Sequence, residues 1–106
     1  MARPPDTLDS MREDVDRIDA ALVVLLAERY SIVQGIARVK TRQGLPMHDE
    51  ARETWIKERG RLLGARFGLG DYGRDLVTLA MTCCKGAFAP QPRRKYPRAP
   101  HPKPAR

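Results

Sequence analysis

The tightest constraint on this chain is a cation set inside an apolar stripe. Apolar residues recur every three or four positions at Leu8, Met11, Val15, Ile18, Leu22 and Leu25, and again at Ile32, Ile36 and Val39. That is the period of one helical face. Arg29 holds the position the rhythm requires between Leu25 and Ile32, and Lys40 follows Val39 near the same face. Burying a guanidinium or an ammonium without an anionic partner is costly. No acid in this segment shares the stripe, so the pattern asks for an anion from outside: a small acidic ligand.

Three segments carry a helical period and none alternates with period two, so the fold class is all-α. The first helix is predicted over about Thr7 to Arg42, with Asp6 or Thr7 as its cap. Gln43, Gly44, Leu45 and Pro46 break it. The second starts near Asp49, a good cap residue, and runs to about Phe67, its apolar face weakened by Gly60 and Gly64. The third runs from Asp71 or Tyr72 to about Phe88 and stops before Pro90.

Length then decides the assembly. A first helix of about 36 residues is about 54 Å long, whereas a compact chain of this size has a radius of gyration near 12 Å. Two shorter helices cannot cover such a stripe. The expectation is a three-helix chain with a very long first helix, paired with a second copy as an intertwined, two-fold homodimer.

The net charge of +7 on 106 residues first suggests nucleic acid. Six of the cations, Arg93, Arg94, Lys95, Arg98, Lys103 and Arg106, lie in the last stretch with no acid among them. Without them the remainder carries about +1, which is no nucleic-acid surface. The same stretch holds six prolines. Residues 1–89 are therefore expected to form one helical domain and 90–106 a disordered tail rich in Pro and Arg. No uninterrupted apolar run approaches about 18 residues, so no membrane span is expected, and the first residues lack a signal-peptide core. Adjacent Cys83 and Cys84 are unsuited to an ordinary disulfide. These features together fit a reducing cytoplasm.

The remaining cations sort by geometry. Arg29 and Lys40 are close to three turns apart and point the same way, about 16 Å from each other. Arg12 lies about 26 Å from Arg29 by the same rise, too far to share a site within one chain. In a two-fold dimer of antiparallel long helices it approaches Arg29 of the other copy. The second helix opens with Asp49, Arg52 and Glu53, the two acids four residues apart on one face.

Met11-Arg12-Glu13, Val15 to Asp19, Leu25 to Arg29, Ala37 to Lys40, Gly44 to Asp49 and Arg52-Glu53 together closely resemble the all-helical chorismate mutase family. The resemblance spans about residues 8 to 88. It implies an intertwined dimer of three-helix chains that rearranges chorismate, a small dianion, to prephenate in one pericyclic step. It implies no cofactor and no metal. By the same resemblance Lys40 stands at the breaking ether bond and also touches a carboxylate. Arg29 and Arg12 of the other copy hold one carboxylate and Arg52 the other. Glu53 accepts the ring hydroxyl, and Asp49 orients it.

The third helix departs from the family pattern. Where many members carry a serine and a glutamine, the matching positions here are Cys84 and Phe88, and phenylalanine has no hydrogen to donate. The segment Gly73 to Phe88 is similar to a short actinobacterial-type subgroup. That similarity implies a shikimate-pathway enzyme, the first of the pathway, as an activating partner. Aminodeoxychorismate mutases, isochorismate-pyruvate lyases and a non-catalytic dimerisation or regulatory module are the alternatives. Asp49 and Glu53 count against the lyase and Phe88 favours the last.

Overall fold

A computed structural model describes residues 6–88; the residues expected to form the tail lie outside them. Three helices and one short turn make up the architecture: α1 (Leu8–Gln43), α2 (Glu50–Arg66) and α3 (Tyr72–Cys84), followed by a 3-10 turn over Lys85–Phe88. Among the described residues there is no strand.

Local chemistry sets each boundary. Thr7 caps α1 through a reciprocal box. Its hydroxyl accepts from the Ser10 amide at 3.0 Å, while the Ser10 hydroxyl accepts from the Thr7 amide at 3.0 Å, satisfying two orphan donors at once. Gly44 ends the helix in the left-handed region at φ 66°, where glycine carries no Cβ penalty. The Leu45 amide then reaches back to the Lys40 carbonyl at 2.9 Å. The third helix was expected to continue to about Phe88, but regular α geometry stops at Cys84. Gly86 follows directly, and a tightened last turn is a common way for a helix to end.

α3 runs back along α2 at a distance only glycine permits. Gly60, Gly64 and Gly73 are all buried. A Cβ on Gly60 would stand 2.6 Å from Val77 Cγ2 and 2.8 Å from the Gly73 carbonyl oxygen, and one on Gly73 would stand 2.7 Å from Gly64 Cα. The glycines that weaken α2 as an isolated helix are what bring α3 against it.

α1 packs on α3 and the 3-10 turn but not on α2. Its half-buried residues begin at Leu26 and include Arg29, Tyr30, Val33, Ala37 and Lys40. Before Leu26 only Ser10 and Asp14 are even partly covered. The apolar stripe is therefore not the inner face of this chain: Leu22, Leu25 and Ile32 are 49%, 58% and 65% exposed. The radius of gyration is 18.2 Å, with extents of 57 × 37 × 26 Å, against about 12 Å for a compact chain of this size.

α1 also bears on the expectation that no segment spans a membrane. An 18-residue window of it reaches a mean hydropathy of 1.5, long and apolar enough by length and composition to cross a bilayer. Glu28-Arg29 and Gln34 break the apolar sequence of α1, so counting unbroken apolar residues misses a stretch that is apolar on average. The mostly buried core helix of a soluble protein and a signal sequence near the N-terminus meet the same criterion.

The glycine contact generates a direct test. Gly64→Ala and Gly73→Ala should each cost about 1–3 kcal/mol through overpacking. Chemical denaturation of each variant beside the wild type checks this.

Candidate functional site

Because α3 bridges α1 and α2 while those two stay apart, a cleft of about 540 Å³ opens between them. Its size falls within the usual range for small-molecule sites. One wall is the C-terminal half of α1, the other the loop and first turn before and within α2. Met81 and Cys84 of α3 form the floor, 8% and 2% exposed.

From α1 come Arg29 and Lys40. Neither hangs loose: Arg29 Nη1 donates to the Ala80 carbonyl at 3.3 Å, and Lys40 Nζ donates to the Met47 carbonyl at 2.9 Å. The sequence shows no acid on their stripe, and the carbonyl partners are contacts it did not reveal. A carbonyl is a neutral acceptor, however, so it orients a cation without cancelling its charge. The Lys40 tether follows from the Gly44 turn, which folds the loop back over the end of α1.

The opposite wall begins with Asp49, whose side chain accepts from the Arg52 amide at 3.0 Å and so starts α2. The Arg52 guanidinium lies 4.5 Å from the centre of the Trp55 ring, a cation–π distance that restrains its direction. Glu53, four residues after Asp49, is half-buried, with one carboxylate oxygen 3.7 Å from His48 Nε2.

Arg29, Lys40, Asp49, Arg52, Glu53 and Cys84 thus line one cleft. Arg12 lies far along α1, exposed and outside it. The backbone is described as far as Phe88, but the Phe88 side chain lies outside the described residues. Two polar lining residues, His48 and Lys85, escaped the sequence reading. His48 faces Glu53, and its place just before the α2 cap was the available signal. Lys85 enters from the start of the 3-10 turn, and its i+4 spacing from Met81 was the available signal. Four cations, Arg29, Lys40, Arg52 and Lys85, face two carboxylates, Asp49 and Glu53. The cleft carries a surplus of two positive charges with His48 neutral, matched to a small dianion. Among the described residues no three His, Cys, Asp or Glu side chains gather as a metal site.

Comparison with known proteins gives a consistent picture. The family model for chorismate mutase type II matches residues 11–80. A chorismate mutase of Methanocaldococcus jannaschii is 36% identical over 58 residues, covering 55% of this chain and 59% of the relative. The intracellular chorismate mutase of Mycobacterium tuberculosis is 27% identical over 85 residues, covering 80% of this chain and 75% of that one. A bifunctional chorismate mutase/prephenate dehydratase of Aquifex aeolicus is 35% identical over 54 residues, 51% of this chain and 15% of the relative. The chain thus spans about three-fifths of the archaeal relative and a small part of the bifunctional one. No solved structure matches significantly. The family match includes Arg12, Arg29, Lys40, Asp49, Arg52 and Glu53, and ends before Met81, Cys84, Lys85 and Phe88.

The cap at Asp49 can be tested apart from any activity. Asp49→Ala should lower stability by about 0.5–2 kcal/mol, and Asp49→Asn should retain most of it, since either oxygen-bearing side chain caps a helix. Thermal melts followed by circular dichroism distinguish the two.

Proposed function

The chain belongs to the type II chorismate mutase family, and we propose that it rearranges chorismate to prephenate. The observation that carries the reading is the convergence of Arg29, Lys40, Arg52 and Glu53 on one cleft with a surplus of two positive charges.

The rearrangement breaks a C–O bond and forms a C–C bond in one concerted step. The protein need supply no nucleophile and no general base. Its contributions are selection of the folded substrate conformer and fixed charge where negative charge develops. Arg29 and Arg52, on opposite walls, take the two carboxylates and hold the substrate folded between them. Lys40 faces the ether oxygen and also touches a carboxylate. With one N–H held by the Met47 carbonyl, its ammonium is already oriented before charge appears on that oxygen, which favours the transition state over the ground state. Glu53 accepts the ring hydroxyl. Asp49 uses one oxygen for the α2 cap, and its other oxygen helps orient the same hydroxyl.

A second copy completes the site in this reading. It covers the exposed stripe of α1 and brings Arg12 of the partner subunit to the carboxylate held by Arg29. The large radius of gyration and the bare N-terminal half of α1 support it. We place the protein in the cytoplasm, where the free Cys83 and Cys84 stay reduced. A shikimate-pathway enzyme remains the partner that the third helix suggests.

The primary experiment incubates the purified chain separately with chorismate, isochorismate and aminodeoxychorismate and follows loss of each. Chorismate should be consumed to prephenate; loss of only one of the others would overturn the reading. Arg29→Ala and Arg52→Ala should each cost about 2–4 kcal/mol in kcat/KM, because a desolvated carboxylate loses its partner. Lys40→Ala should fall mainly on kcat.

Mixing inactive Arg12→Ala and Arg29→Ala chains tests the assembly. In a two-fold dimer half of the mixed pairs' sites are intact, so activity should recover to about a quarter of wild type. No recovery after subunit exchange would rule out Arg12 acting across the dimer.

A further inference from the structure

The third wall of the cleft carries a charge that neither the family match nor the sequence pattern assigns. Lys85 lies at the junction where α3 gives way to the 3-10 turn, directly after the buried floor residue Cys84. Its backbone is still helical, at φ −57° and ψ −32° with its N–H on the Met81 carbonyl, so Lys85 stands one α turn after Met81, on the face that floors the cleft. Among the described residues Lys85 joins no ion pair.

Its neighbours indicate what it meets. Arg29 is tied to α3 at the Ala80 carbonyl, five residues before Lys85, which is about 7.5 Å along the helix axis. Met81 and Cys84, between them, form the floor. Arg29 and Lys85 therefore flank the same stretch of floor, within reach of one bound carboxylate. Lys40 is tethered at the far end of α1 by Met47, and Arg52 is held over Trp55 on the opposite wall.

We propose that Lys85 is a further substrate-binding residue, whose ammonium clamps the substrate carboxylate held by Arg29 from the α3 side of the cleft. The inference rests on the dianionic substrate named above. A carboxylate is charged in ground state and transition state alike. Lys85 therefore contributes uniform binding, which acts on KM, in contrast to Lys40, whose contribution grows as the ether oxygen becomes negative. As a point charge on a flexible stem it tolerates replacement by arginine better than by an apolar isostere.

The test uses the full chain as wild type, Lys85→Met and Lys85→Arg, with melts confirming that all three fold. Steady-state loss of chorismate and calorimetric titration with chorismate are measured on each. Lys85→Met should raise KM and the dissociation constant roughly tenfold or more with kcat within about twofold, and Lys85→Arg should recover most of the affinity. Unchanged binding in Lys85→Met would overturn the proposal, as would a loss confined to kcat. A wild type that binds chorismate without converting it would overturn the proposed reaction, while the titrations would still decide the role of Lys85. A wild type that neither binds nor converts chorismate would overturn both.

Discussion

A helix of 36 residues carries more apolar surface than partners of 17 and 13 residues can cover, and the rest of the architecture follows from that mismatch. The two short helices gather at one end of the long one, where the half-buried positions of α1 begin. The other end is left bare. Burial contributes about 25 cal/mol per Å² of apolar surface removed from water. A row of large side chains about half exposed is therefore a strong drive toward association. The proposed second copy answers it with the same surface, as a two-fold interface requires.

Where the three helices do meet, backbone rather than side chains makes the closest contact. Gly60 and Gly64 meet Gly73 with no room for a Cβ, so α3 lies flat against α2 and reaches α1 from that side. Arg29 then finds the Ala80 carbonyl. With α3 acting as the bridge, α1 and α2 remain apart, and the gap between them is the cleft. Its volume is thus set by how closely two helices approach each other away from the site.

Much of this was legible in the residues. The Thr7 and Asp49 caps, the Gly44 break and the shared face of Arg29 and Lys40 depend on local geometry and periodicity, which a sequence displays directly. Other features depend on what comes near in space. Gly60 and Gly64 read as weak points of α2 because their benefit lies on α3. The contacts of Arg29 and Lys40 with Ala80 and Met47 could not be foreseen because they are made to backbone carbonyls, which carry no side-chain signature. Lys85 was missed because the reading of the third helix never took Met81 as a cleft residue, and Lys85 follows Met81 by four positions on that face. The stripe itself was legible, but its burial was not, since what covers a face is a property of the assembly.

The carbonyl tethers bear on how the cleft keeps its charge. On the outer surface of α2, Arg61 hydrogen-bonds the Glu58 carboxylate and holds it below the usual carboxylate range. There the two charges cancel and little field remains for anything else. Arg29 and Lys40 are oriented instead by neutral acceptors, and Arg52 by the face of an indole ring. Each of these contacts restrains direction without itself supplying a counter-charge to the field an incoming anion meets. In a partly water-excluded cleft that field acts at a lower effective dielectric than in bulk water. Groups already fixed in place also need not reorganise as charge develops. The two carboxylates in the same cleft are placed differently: Asp49 is engaged at the start of α2, and Glu53 lies beside His48. The cleft's own negative charge is thereby confined to the α2 wall. For the proposed substrate, a small dianion bearing one hydroxyl, the cleft offers cations on all three walls and carboxylate acceptors on one.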